Sequence, residues 1–429
     1  MQDATAPQTG ADPTTPTTRD RTTALVLATL GFAVNFWAWS LISPLGPLLV
    51  DRDIVQDASL IVAIPVLVGS LGRILVGALT DRLGGRLMMP IVSLLTVVPV
   101  LYLGFLGQYS AVGLMLGGFV LGVGGTSFAV GVPYVNRWFP AEQRGSAIGI
   151  YGAGMGGTAI AAFTTVPLFE LGDRVPFVVA AVALVVYAVA AYLLMKDPPG
   201  WTPSRQNLGA TLAATARIPL TWQTCYLYAL AFGGYVAFSV YLPTFLMNDY
   251  GLEAHDASFR MAGFVIAAVV MRPVGGILSD RIGPVRTLVI SYAVVTLCAV
   301  ALVADPPLMP IATIAFIVMS MGLGMGAGGV FALIGRASDP AMVGSITGFV
   351  GAAGGLGGFV PPLLLGALWQ AQGTYALGLV LLALATVLAL LITLWVGRDA
   401  RRAAEQEATA APDTPEPSQT EPRGQEDPA

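Results

Sequence analysis

Charge is what this chain has least of. Aspartate, glutamate, lysine and arginine make up 11% of its 429 residues, against 55% hydrophobic ones. A soluble chain of this length needs far more charge on its surface, which leaves a polytopic membrane protein. Histidine occurs once, as His255, in a segment read as an outer loop and poorly placed for a proton relay. Cysteine occurs twice, as Cys225 and Cys298, both inside apolar segments, so no disulfide framework is expected. Lysine occurs once, as Lys196, and every other basic side chain is arginine. No catalytic triad, metal-ligand cluster or phosphate-binding loop appears, so neither an enzyme nor a cofactor or metal site is expected. Nothing in the charge pattern suits a nucleic acid.

What is present is apolar length. Hydropathy predicts twelve membrane helices, at about 23–50, 59–80, 87–107, 110–138, 145–170, 175–195, 222–247, 258–279, 286–304, 308–335, 342–369 and 374–397. Residues 1–22 and 398–429 are polar and rich in Thr, Pro, Gln and Glu, and read as disordered tails. The polar stretch 198–221, with Pro198, Pro199 and Pro203, reads as a linker between halves at 23–197 and 222–397. With twelve helices, sixteen basic residues fall on the side of the termini, whereas Arg52, Arg174 and Arg260 fall on the other. The positive-inside tendency then puts both termini, the tails and the linker in the cytoplasm.

Two charges sit where hydrocarbon should forbid them. Arg73 opens R-I-L-V-G-A-L-T-D-R-L-G, and Arg272, 199 residues later, opens R-P-V-G-G-I-L-S-D-R-I-G. Each precedes a helix-ending aspartate by eight residues, so it lies about 12 Å into a core roughly 30 Å thick. A guanidinium there stays protonated and needs a partner, and no carboxylate lies deep in any predicted helix. The simplest partner is an anion that comes and goes. The same offset relates Gly145-Ser146, Gly149, Gly152 and Gly156 to Gly344-Ser345, Gly348, Gly351 and Gly355. Helices 2 and 5 therefore correspond to helices 8 and 11. The expected fold is an all-α membrane protein with two parallel six-helix repeats and a site between them.

The segments Asp81, Arg82, Gly84, Arg86 and Asp280, Arg281, Gly283, Arg286 resemble the repeated loop motif of the major facilitator superfamily. That resemblance implies charged latches closing the cytoplasmic side. Gly124-Gly125-Thr126-Ser127-Phe128 through Pro133, Asn136-Arg137-Trp138-Phe139-Pro140, and Gly344 through Phe359 are similar to motifs of the nitrate/nitrite porter family. The resemblance implies a multi-pass transporter of the cell membrane, clamping its anion between Arg73 and Arg272. Phe128 and Phe232 would stack on the anion, and Tyr228 would donate a hydrogen bond to it. Helix 5 departs from the family pattern: Met155 stands where an asparagine is common. Asn35 of helix 1 is a candidate, on position alone, to supply that polar contact. Gly152, Gly154, Gly156, Gly351, Gly354 and Gly355 are candidate sliding surfaces as the halves rock.

A guanidinium suits a flat, weakly basic anion because its planar fork meets two oxygens at once. Two such cations repel when the site is empty, so a bound anion should ease passage through occlusion. The implied function is alternating-access transport of nitrate or nitrite by a monomer. Proton-coupled uptake is favoured over nitrate/nitrite exchange, although no buried carboxylate is there to carry the proton. Another small anion, such as a monocarboxylate, and a non-transporting membrane sensor are the readings to be told apart from it.

Overall fold

The computed structural model describes residues 17–55, 59–203, 207–339 and 342–410. Among them every regular element is helical. Eleven helices are long and apolar enough to cross a membrane. In chain order they are α1 (Thr18–Gly46), α2 (Ile64–Leu83), α3 (Gly85–Phe105), α4 (Ala111–Trp138), α5 (Ala141–Glu170) and α6 (Val175–Leu194). After α7 come α8 (Phe259–Ile282), α9 (Pro284–Val303), α10 (Leu308–Ala337), α11 (Val343–Gln372) and α12 (Ala376–Arg398). The twelfth span, α7 (Pro219–Tyr250), is equally long but bends by 61° between Ser239 and Tyr241. Large apolar side chains such as Phe163, Val186, Leu193 and Leu297 are left exposed on the outside of the bundle. On helices long and apolar enough to cross a membrane, lipid is the natural solvent of that surface.

Three boundaries differ from the sequence reading. Residues 18–22, read as tail, open α1, because the Thr17 hydroxyl caps the helix by accepting from the Asp20 N–H. The linker carries a short helix, Leu208–Ala216, started by the Asn207 side chain accepting from the Gly209 N–H. Helical structure also runs on past the predicted end at 397 to Ala410, through a stretch of good helix formers. The remainder of both tail assignments, residues 1–16 and 411–429, lies outside the described residues. His255, read as a loop residue, falls in the first turn of the helix Ala254–Ile282.

The two D-R-x-G glycines show why the motif needs glycine. Gly84 and Gly283 have φ of +83° and +93°, a region costly for side chains bearing a Cβ. Each ends its helix, donating its N–H to the carbonyl of Thr80 or Ser279.

The halves meet along two helix pairs, α2 against α11 and α5 against α8. Both crossings are glycine on glycine. A Cβ on Gly77 would collide with the Gly344 carbonyl, and one on Gly276 would collide with the Gly145 carbonyl. Gly77 and Gly276 are themselves 199 residues apart, as are Gly145 and Gly344, so the interface repeats the internal symmetry. Close backbone approach is the physical use of small residues in membrane helices, where no hydrophobic drive separates helix from lipid. Cys225 and Cys298 are both buried and unpaired.

Candidate functional site

Arg73 and Arg272 are among the most deeply buried side chains of the molecule, 2% and 1% exposed. Neither turns to lipid, and no described carboxylate pairs with either. Arg73 donates from Nε to the Gly125 carbonyl at 2.9 Å and from Nη1 to the Gly351 carbonyl at 2.8 Å. Arg272 donates from Nη1 to the Met155 sulfur at 3.1 Å and from Nη2 to the Tyr228 hydroxyl at 3.0 Å. Among the described residues these bonds take up two of the five N–H donors on each guanidinium.

The same two rings serve both cations. Phe128 lies 5.7 Å from the Arg73 guanidinium carbon and 5.3 Å from that of Arg272, and Phe232 lies 5.9 and 5.6 Å away. Tyr228 is nearly parallel to both, at 4° to Phe128 and 3° to Phe232. Phe331 of α10 meets Phe128 and Tyr228 edge-on at 4.9 and 4.7 Å and fixes that orientation. Ring faces soften the burial of a cation without neutralising it. The centre thus combines two unneutralised charges, parallel aromatic walls and spare N–H donors, which is the chemistry of an anion receptor.

Glycines make room for the arginines. A Cβ on Gly152 would strike the Arg272 side chain, and one on Gly351 would come within 2.9 Å of the Arg73 Cδ. Gly354 lies under Tyr228 and Phe232, Gly355 against Ser70, and Gly154 against Phe32, whereas Gly156 faces open space. Asn35 does not join this group. Its amide donates to the Gly31 carbonyl and to Ser93, both at 2.8 Å, and its oxygen accepts from Thr96 at 3.4 Å. The structure therefore gives Asn35 a helix-packing role between α1 and α3, away from the guanidinia, because α3 offers hydroxyls within its reach.

A cavity of about 380 Å³ leads to this centre from the side of the arginine-poor loops. Arg73, Met155, Phe232 and Gly355 line its floor, and Ser43, Phe163, Ser239 and Ile266 lie toward the ends of α1, α5, α7 and α8 that bear the arginine-poor loops. The arginine-rich side is shut. There the Asp81 carboxylate accepts from the Gly344 N–H (3.3 Å), the Ser345 N–H (2.8 Å) and the Ser345 hydroxyl (3.0 Å) of the other half. Its repeat mate Asp280 accepts from the Gly145 N–H (2.9 Å), the Ser146 N–H (2.6 Å) and the Ser146 hydroxyl (2.5 Å). Each carboxylate thereby caps a helix of the opposite half, where the helix dipole favours negative charge.

The arginines of this closure are not those of the loop motif. Arg137 pairs with Asp81 at 3.1 Å and Arg336 with Asp280 at 3.5 Å, whereas Arg82, Arg86, Arg281 and Arg286 are exposed. Arg86 instead attracts Asp197, whose carboxyl burial pushes above its ordinary value against that pull. Sequence reasoning missed Ser146, Ser345, Arg137 and Arg336 as closing residues. Their signal was available: each pair stands 199 residues apart, the offset of the arginines themselves.

Comparison with known proteins agrees with this architecture. Residues 28–362 and 224–421 match the family model described as Major Facilitator Superfamily, and the chain belongs to that superfamily of membrane transporters. Its helices also superpose on the human organic anion transporter MFSD10 with a TM-score of 0.74, covering 87% of this chain and 99% of that one at 12% identity, which speaks for the fold alone. It is 45% identical over 380 residues to the probable nitrate/nitrite transporter NarK2 of Mycobacterium tuberculosis, covering 86% of this chain and 95% of that protein. It is 34% identical over 375 residues to the nitrite extrusion protein of Bacillus subtilis, covering 87% and 93%. Within the superfamily, the chain is a member of the nitrate/nitrite porter family and a multi-pass protein of the cell membrane.

Proposed function

We propose that this protein transports nitrate, nitrite or both by alternating access, holding the anion between Arg73 and Arg272. The observation that carries this reading is the burial of two guanidinia that share the rings of Phe128 and Phe232 and have no carboxylate partner. A planar anion entering between parallel rings would meet N–H donors from both halves at once. Charge-assisted bonds to both would draw the halves together around it. The names of the relatives support the choice of nitrate and nitrite over other small anions. A monomer suffices, because both arginines come from one chain.

With the arginine-rich face in the cytoplasm, as the positive-inside tendency argues, the carrier here faces outward. Asp81 and Asp280 then act as latches that must let go of Ser345 and Ser146 before the inner side opens. Loading would favour that release, since the anion removes the repulsion between the arginines that hinders occlusion. Bringing one nitrate inward costs about 2.3 kcal/mol per 100 mV of membrane potential. One co-transported proton cancels that cost and leaves the pH gradient to drive uptake, and a second proton or another cation lets the membrane potential drive it as well, whereas exchange against nitrite moves no net charge; we favour proton-coupled uptake.

The test is flux of labelled nitrate and nitrite into proteoliposomes holding the purified full chain, with and without a pH gradient and with internal counter-anion. Uptake that follows the pH gradient supports symport, and uptake that requires internal nitrite supports exchange. No flux of either anion under any of these conditions would reject the reading, and inhibition by monocarboxylates but not nitrate would replace it.

A further inference from the structure

Among the described residues, Met155 is the one apolar side chain that accepts a hydrogen bond from a buried cation. Its sulfur accepts from Arg272 Nη1 at 3.1 Å, and the residue also lines the outer cavity. Arg272 does not line that cavity, whereas Arg73 does. Seen from outside, Arg73, though buried, borders the cavity, and Arg272 lies behind a thioether. Resting on the reading of the site as an anion receptor, we propose that Met155 is a displaceable cap on Arg272 and determines which anions complete the site.

The two possible acceptors at Arg272 are unequal. A thioether is a weak hydrogen-bond acceptor on a flexible, unbranched side chain. An anion oxygen is a much stronger acceptor for the same charged N–H, and it adds the attraction of opposite charges that a neutral sulfur lacks. Exchange of sulfur for anion at Arg272 is thus downhill. Exchange at Arg73 would not be, because backbone carbonyls hold it at 2.8 and 2.9 Å. The anion meets Arg73 first and Arg272 second, after Met155 has swung aside.

The cap also sets the chemistry of the wall. Met155 has no N–H or O–H to offer, Ala159 and Ala162, one and two turns further along α5, are equally without donors, and the hydroxyl of Thr158 beside them already donates to the Met155 carbonyl at 3.0 Å. An anion passing them must give up water on that side with nothing in return. Weakly hydrated oxyanions such as nitrate and chlorate lose little by this. Nitrite, formate and chloride, which hold water more tightly, lose more.

The experiment is inhibition of labelled nitrate uptake into proteoliposomes by unlabelled nitrate, chlorate, nitrite and chloride. Wild type, Met155→Asn and Met155→Leu are compared, each checked by size-exclusion chromatography. In the wild type, nitrate and chlorate should inhibit over one concentration range, with nitrite weaker by about tenfold, the worth of one hydrogen bond. Met155→Asn supplies an amide donor and should bring nitrite to within about twofold of nitrate. Met155→Leu keeps the shape and removes the acceptor, so it should preserve the order while binding nitrate at least as well as wild type. Should Met155→Asn not fold, Met155→Thr offers a hydroxyl donor and the same expected narrowing. A nitrite-to-nitrate ratio unchanged by a polar residue, or scrambled by leucine, overturns the proposal while leaving the anion receptor standing. A wild-type protein indifferent to both nitrate and nitrite overturns both.

Discussion

Arg73 and Arg272 stand at equivalent positions of the two repeats, yet their surroundings are not equivalent. Arg73 is gripped by the carbonyls of Gly125 in its own half and Gly351 in the other. Arg272 is touched by a thioether and a phenol, from Met155 across the interface and Tyr228 within its half. Strong fixed acceptors make an anchor, and weak movable ones make a side chain that can change partners. A duplicated half thus supplies two cations of the same reach, and local substitutions give one of them freedom. The closures at Asp81 and Asp280 differ less: each caps a helix of the opposite half, with the shorter ion pair at Asp81 and the shorter hydrogen bonds at Asp280.

The most damaging way to probe this contrast is to replace each arginine by lysine. Both changes keep the charge and lose the fork, and both should reduce flux by about 100-fold or more. They should part in stability. Arg73→Lys takes a charged hydrogen bond from each of two buried helical carbonyls and should lower the melting temperature in detergent further than Arg272→Lys. Equal shifts would erase the distinction between anchor and movable partner.

Asp81→Asn and Asp280→Asn come next. Loss of a charge on a helix end and of a charged hydrogen bond is worth about 2 kcal/mol, or roughly a 30-fold shift toward the inner side being open. A cysteine placed at Thr347, buried two residues beyond the closing Ser345 on α11, reports it through its rate of labelling from that side. Asp81, with the shorter ion pair, should show the larger gain.

Gly152→Ala and Gly351→Ala test the space given to each guanidinium. Overpacking of this kind costs about 1–3 kcal/mol, so flux should fall about tenfold. Gly152→Ala should be the worse, since its Cβ strikes Arg272 near the head, whereas that of Gly351 meets the Arg73 Cδ. Tyr228→Phe removes one neutral partner of Arg272 and should weaken nitrate inhibition by about fivefold with little effect on folding. Asn35→Val should be the mildest for transport. It loses helix-packing bonds worth about 0.6 kcal/mol each, visible as a lower melting temperature at unchanged substrate affinity.

Much of this was legible because membrane burial leaves coarse marks. Apolar length gave the spans, and the cost of an intramembrane cation singled out Arg73 and Arg272. The 199-residue offset paired α2 with α8 and α5 with α11. What was misread turned on contacts between segments far apart in sequence. Arg82, Arg86, Arg281 and Arg286 share the motif of the closing aspartates, but the chain reverses at Gly84 and Gly283 and leaves them at the surface. The partners come from Arg137 and Arg336 instead, with Ser345 and Ser146 reaching across from the opposite half. Asn35 looked like a ligand because it is polar and deep, and depth says nothing of which helix face it occupies.

The chain by itself determined that it is a twelve-span membrane bundle built from a duplicated half, because hydrocarbon penalises charge and unpaired backbone so heavily that few patterns survive. It also determined which two cations carry the meaning, since nothing else in the helices can be charged at that depth. Tertiary structure alone decided what holds each cation, which side is shut and who shuts it. Those outcomes depend on hydrogen bonds a few tenths of an ångström from being made or lost, between helices whose relative placement no local sequence encodes.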